Sequence, residues 1–181
     1  MSSFYKNPSI CEGFFVCIDF LRLHSLEWHL YDNLKLLAGI SQNPELKAGL
    51  EKHREETAVH MQRLESIGAR LGFSVIGMPN LPARALAVEF LEDWGGAEPG
   101  PVTDALIIGG AQKGEHLEIA WYGFMRSLCQ KMGDEESVAL LQQTLDEEKR
   151  TDERLSKLAE SMVNPAAASA PTPPTVPVVP A

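Results

Sequence analysis

Seven residues in this chain have the types and spacing to hold metal ions: Glu27, Glu56, His60, Glu115, Glu118, Glu148 and Asp152. Carboxylate oxygens and imidazole nitrogens suit iron or manganese. No cysteine stands near these acids in the pattern, which argues against a thiolate zinc site. Glu56 and His60 are four residues apart, Glu115 and Glu118 three, and Glu148 and Asp152 four. Side chains at those spacings lie one above the other on a helix, so each pair can reach one pair of ions. Dimetal bundles usually take a single Glu from each of two helices and Glu-x-x-His from each of the other two. The four-residue step to His60, and Asp152 in place of a second histidine, make this set richer in carboxylate.

The elements that must position these residues are four long helices. Helix A is expected from about Pro8 or Ser9 to Ala38, with Gly39 as its stop. Helix B should start behind an Asn43-Pro44 cap and end at Gly72. Gly77 and Pro79 make the next stretch a loop, followed by a short helix from Ala83 to Trp94. Helix C is expected from a Thr103 or Asp104 cap to Met132, and helix D from the Gly133-Asp134 turn to about Val163. This order predicts an all-α fold, an antiparallel four-helix bundle of ferritin-like topology. The long crossover between B and C carries the short helix. The bundle is expected over residues 1–164. The Pro-, Ala-, Thr- and Val-rich stretch 165–181 is expected to be a disordered tail.

Each long helix shows apolar residues at alternating steps of three and four, and each interrupts that stripe with acid. Helix A reads Ile10, Phe14, Cys17, Leu21, His24, Glu27, Tyr31, Leu34, Ala38. Helix B reads Leu46, Leu50, His53, then Glu56 or Thr57, then His60, Leu64, Ile67, Leu71. Helix C reads Ile108, Ala111, Glu115, Glu118, Tyr122, Met125, Cys129, and helix D sets Glu148 and Asp152 between Leu145 and Leu155. One stripe acid often sits at a bundle's edge in water. Four helices with acids flanked by apolar turns demand buried positive charge, because an unpaired buried carboxylate costs several kcal/mol. No Arg or Lys occupies the stripes at these levels, so metal ions are the expected counter-charge. Of the remaining histidines, His24 and His53 read as boundary residues, and His29 and His116 as exposed. Tyr31 and Tyr122 read as core residues with a polar tip, with a hydrogen bond from Tyr122 to Glu118 expected.

Composition supports a single soluble domain, with 44% hydrophobic and 23% charged residues. The net charge of −9 argues against a nucleic-acid partner. Cys11, Cys17 and Cys129 are too few and too scattered for a disulfide framework. They fit small core thiols in a cytoplasmic protein. No secretory signal and no membrane-spanning stretch is expected.

The helix C segment Ala111-Gln112-Lys113-Gly114-Glu115-His116-Leu117-Glu118-Ile119-Ala120-Trp121-Tyr122-Gly123 resembles the bacterial YciE/YciF family. Helix D resembles it through Leu145-Asp146-Glu147-Glu148-Lys149-Arg150-Thr151-Asp152, and helix B through His53-Arg54-Glu55-Glu56-Thr57 with His60. Helix A is more distant around Ser25-Leu26-Glu27, where Arg22 and His24 replace the family's usual Asp and Tyr. The resemblance implies a ferritin-like bundle akin to rubrerythrin, often a homodimer and tied to stress responses. By the same resemblance Glu27 and Glu115 are terminal ligands of a dimetal centre. Glu56 and Glu148 bridge the ions, His60 and Asp152 cap the two ends, and Glu118 is an added ligand. It implies no settled reaction. Two functions remain open. One is a dinuclear iron or manganese protein acting on a small oxidant such as peroxide or dioxygen. The other is a non-enzymatic dimeric stress protein whose metal site is vestigial or structural.

Overall fold

The structure, a computed structural model, describes residues 10–171, with side chains from Val16 onward. Expectations for the Cys11 and Phe14 side chains and for residues 172–181 lie outside it. Five helices make the bundle and its crossover: α1 Ile10–Ile40, α2 Pro44–Leu71, α3 Leu81–Trp94, α4 Pro101–Lys131 and α5 Glu135–Leu158. A π-helical turn, Ala159–Val163, links α5 to a last short helix, α6 Asn164–Ala168. Among the described residues there is no strand. Helix α1 packs along α2, and α4 along α5. The two hairpins meet through α1–α4 and α2–α5, and α3 lies across α4 and α1.

The caps expected from the sequence set most helix ends. Asn43 Oδ1 accepts from the backbone N–H of Glu45 at 2.9 Å and of Leu46 at 3.0 Å, with Pro44 in the first turn. Gly72 ends α2 at φ 86°, a left-handed conformation that side chains disfavour. Two ends differ. Helix α1 runs through Gly39 to Ile40, because Gly39 keeps helical backbone and the turn comes at Ser41–Asn43. Helix α4 begins at Pro101, so Asp104 is inside its first turn instead of capping it. Buried there, Asp104 accepts from the Ser41 hydroxyl at 3.0 Å and from the Gln42 and Asn43 N–H groups at 2.9 Å each. It clamps the α1–α2 turn onto the next hairpin.

The helical chain also continues past 164. Pro165 has no N–H to donate and its ring crowds the carbonyl one turn back. The chain widens just before it, the Asn164 N–H bonding Ala159 C=O, and then resumes α-helix to Ala168. Residues 165–168 are therefore helix and not the start of a tail.

The core has two apolar halves. One gathers Phe20, Leu23, Leu64, Ile67, Met125 and Leu141; the other gathers Leu34, Leu46, Leu50, Ile107, Leu155 and Val163. Between them lies a polar layer at the level of Glu27, His60, Glu115 and Glu148, each at most 2% exposed. On α1 the buried face is broader than the expected stripe. Phe20, Leu23 and Leu26 are buried while Cys17 and Leu21 are only half-buried. Helix α1 meets α2, α3 and α4, so one line of residues cannot satisfy it.

Candidate metal centre

Each of the four long helices delivers buried donors to the polar layer. Helix α1 gives Glu27, α2 gives His53 and His60, α4 gives Glu115 and Glu118, and α5 gives Glu148. Two groups of donor atoms lie within 4.8 Å of one another: His53, Glu115, Glu118 and Glu148, and Glu27, His60 and Glu148. Glu148 belongs to both. His53 Nε2 is 3.0 Å from Glu115 Oε1 and 3.7 Å from Glu148 Oε2. His60 Nδ1 is 3.5 Å from Glu27 Oε2 and 2.8 Å from Glu148 Oε1, the closer contact lacking the alignment of a hydrogen bond.

These groups are poorly satisfied by protein alone. Glu27 Oε2, His60 Nδ1, Glu115 Oε2 and both carboxylate oxygens of Glu118 and Glu148 are buried without a hydrogen-bond partner. Buried polar atoms are normally paired, and each orphan costs about 1–3 kcal/mol. Five carboxyl and imidazole side chains aimed at one another, with unpaired lone pairs, fit cations well. The donor set of oxygen and imidazole nitrogen is the one iron and manganese take.

Among the described residues no Arg or Lys reaches the two donor groups themselves, so protons are the positive charge held there, and the electrostatics show it. Burial opposes a charged His53, but the Glu115 and Glu56 carboxylates outweigh it and hold its pKa well above the ordinary value. Burial likewise opposes a charged His60, yet Glu27 and Glu148 lift it to about 10. Burial pushes Glu148 up to about 7 against the pull of both histidines. Glu118 is pushed well above the carboxylate range by burial and by the charges of Glu148, Glu27 and Glu115.

Surrounding groups hold the donors in place. Tyr122 donates to Glu27 Oε1, not to the expected Glu118. The far ring nitrogen of His60, Nε2, is 2.9 Å from Glu147 Oε2, and Arg63 pairs with the same carboxylate. This keeps His60 Nδ1 facing the centre, the usual way a carboxylate orients a ligating imidazole.

Of the seven residues expected from the sequence, Glu27, His60, Glu115, Glu118 and Glu148 are brought together. Glu56 and Asp152 are not. Glu56 is partly exposed and pairs with Lys52 at 3.0 Å and Arg154 at 3.4 Å. Asp152 accepts from Gln112 Nε2 at 2.8 Å and faces the exposed His116 at 3.5 Å. The helical phase explains both. At about 100° per residue, the buried face of α2 follows His53, Thr57 and His60, leaving Glu56 about 60° round from His53. On α5 it follows Thr144, Glu148, Thr151 and Leu155, so Thr151 takes the place expected for Asp152. His53, expected at the boundary, is instead a central donor. Its step of seven from His60 was the available signal, since seven residues make nearly two turns. His24 is buried and bonded to Glu65 at 3.1 Å, and His29 is half-buried beside Trp28. Tyr31 is half-buried under the Arg54 guanidinium.

Known proteins resemble this chain in sequence and fold. The family described as a domain of unknown function, DUF892, matches residues 18–168. Protein YciF of Escherichia coli strain K12 is 34% identical over 142 residues, covering 78% of this chain and 86% of YciF. The chain belongs to the YciF family. The crystal structure of YciF, there called an E. coli stress protein, superposes with TM-score 0.77, covering 84% of this chain and 97% of that one. The YciF-family bundle is also matched by YcfI from Rhodopseudomonas palustris, at TM-score 0.75 and 27% identity, over 86% of this chain and 98% of that one. A two-domain Anabaena variabilis protein with a ferritin-like domain matches at TM-score 0.59 and 16% identity, over 93% of this chain and 42% of its own. That likeness speaks for the ferritin-like fold alone. No helix among the described residues is long and apolar enough to cross a membrane.

Proposed function

We propose that this YciF-family bundle binds two metal ions, iron or manganese, in the polar layer between its two apolar half-cores. The observation that carries the reading is that two groups of buried donors share Glu148. A carboxylate has two oxygens, and both oxygens of Glu148 lack a protein partner. Glu148 is thus suited to bridge two ions, with His53, Glu115 and Glu118 on one side and Glu27 and His60 on the other. Bound iron or manganese supplies redox and Lewis-acid chemistry toward a small oxidant such as peroxide or dioxygen. The protein's share is to hold the donors dry, to keep His60 turned by Glu147 and to fix Glu27 through the Tyr122 hydroxyl.

We take the protein to act in the cytoplasm, as a homodimer, in a stress response. Sparse cysteines support the first; among the described side chains Cys17 and Cys129 are free thiols. The family resemblance and the description of E. coli YciF as a stress protein support the rest. The test of the central reading is elemental analysis of protein purified with added iron or manganese, paired with anomalous scattering. Two ions per chain flanking Glu148 are expected; a chain that stays well below one ion under both metals sinks the reading. Sedimentation at micromolar concentration tests the dimer, and a monomer there removes it.

A further inference from the structure

A cavity of about 60 Å³ lies beneath the crossover helix, where α3 rests on α1 and α4. Its lining runs from Leu36 and Leu91, 39% and 46% exposed, to the buried His53, Glu115 and Glu118. Apart from those three donors, Asn33 is the one polar side chain among the described residues that line it, and none of the others is charged. Neither oxygen of Glu118 has a partner, and Glu115 Oε2 is also buried without one. On α4 the lining is Gly110, Ala111 and Gly114. Glycine weakens a helix interior, so two of them one turn apart need a reason. A Cβ at Gly110 would lie 3.0 Å from Phe90 Cδ2, and one at Gly114 would lie 3.2 Å from Leu30 Cδ2. Bare backbone there lets Phe90 and Leu30 cover α4 without filling the space beside the donors.

We propose that this cavity binds dioxygen and is the route by which it reaches the His53, Glu115 and Glu118 side of the centre. Size excludes organic ligands, whose pockets begin at about 300 Å³. Polarity separates the small candidates. Hydrogen peroxide would lose most of its hydrogen bonds against leucine, alanine and phenylalanine. A hydrated cation would lose its water shell against the same walls. Dioxygen has no such bonds to lose, and apolar cavities stay dry and take up apolar guests. A larger cavity, about 270 Å³ between α2 and α5, is also lined by His53 and Glu115, and it carries Thr151, Arg154 and Ser161. Polar molecules find partners there; beneath α3 they find only Asn33 before the donors. The inference deepens the metal reading by choosing dioxygen over peroxide, and it rests on that reading for the role of the route. Gas binding itself needs no metal.

The test is methyl NMR of the full, metal-chelated chain, titrated with xenon and then with dissolved dioxygen. Saturable xenon shifts are expected at the methyls of Leu30, Leu37 and Ala111, and not at Leu64 or Ile67, which are buried outside the lining. Dioxygen is paramagnetic and should broaden the same three residues first, and xenon should relieve that broadening. Ala87→Phe adds a ring to the lining from α3 and should weaken xenon binding by about tenfold or more. Val88→Phe beside it, at a residue 53% exposed and outside the lining, should leave binding unchanged. If Ala87→Phe disturbs the whole methyl spectrum, Gly114→Ala takes its place as the smaller filling change. Xenon shifts that are absent or do not saturate overturn the proposal. So does affinity that survives filling, and so do water-to-methyl Overhauser contacts at Ala111, which mark a hydrated cavity. Metal uptake without gas binding overturns this inference alone. Gas binding in a chain that takes up no metal overturns the metal reading and leaves the binding site standing.

Discussion

Glu118 poses the problem of the buried layer in its simplest form. Neither of its oxygens has a hydrogen-bond partner, and burial plus three neighbouring carboxylates hold its pKa well above the usual range. Without metal its surroundings favour the neutral acid, close in shape and charge to glutamine. Glu118→Gln should leave the metal-free stability within about 0.5 kcal/mol of the parent. The same change removes an anionic donor, so metal-induced stabilisation in thermal melts should fall sharply. His60 behaves in the opposite way. Its imidazolium is the positive charge beside Glu27 and Glu148 in the metal-free chain. His60→Ala should cost about 3–5 kcal/mol in chemical denaturation, because it leaves buried carboxylates uncompensated. Glu56 and Asp152 find their partners outside the buried layer, in Lys52, Arg154 and Gln112, so Glu56→Gln and Asp152→Asn should leave the metal-to-protein ratio unchanged in elemental analysis.

At the scale of elements, the bundle depends on how the hairpins are pinned. Gly68 on α2 sits under the turn that follows it. A Cβ there would lie 2.6 Å from Val75 Cγ1 and 2.8 Å from the Phe73 carbonyl oxygen. The backbone contact cannot be relieved by a rotamer change, so Gly68→Ala should destabilise by about 1–3 kcal/mol despite its better helix propensity. Asp104 fastens the α1–α2 turn with three accepted hydrogen bonds. Asp104→Ala should cost about 2–3 kcal/mol in urea unfolding, since the stranded donors are partly shielded from water.

At the scale of the whole molecule, the layer makes stability depend on pH in a definite direction. Glu148 titrates near 7 in the folded chain, against an ordinary 4.5. Between those values the folded state keeps a proton that the unfolded chain has lost, so stability falls as pH rises through that window. The raised pKa of His60 contributes stability that is complete below 6.5 and lost as pH climbs through about 10. Both groups weaken the metal-free bundle as pH rises. Metal ions compete with the same protons, so they should bind better over the same range. The gap between metal-loaded and metal-free melting temperatures should widen from about pH 5 to about pH 8, at about 3 °C for each kcal/mol. A gap that narrows would count against proton–metal exchange in this layer.

Residue types and spacing were enough to determine the four long helices, the crossover helix and the burial of acid on every stripe. Those are local matters: caps, glycines and the 3.6-residue period act over one or two turns. The family relation was also legible, in the helix C segment around Glu115 and Glu118. Tertiary structure decided which acids enter the centre. Glu56 and Thr57, or Asp152 and Thr151, are neighbours whose choice turns on helix rotation, set by contacts with the other hairpin. The same packing drew His53 inward, sent the Tyr122 hydroxyl to Glu27, and gave α1 a face wider than one stripe. A sequence states that buried carboxylates need a counter-charge; only the packed bundle states which six side chains meet around it.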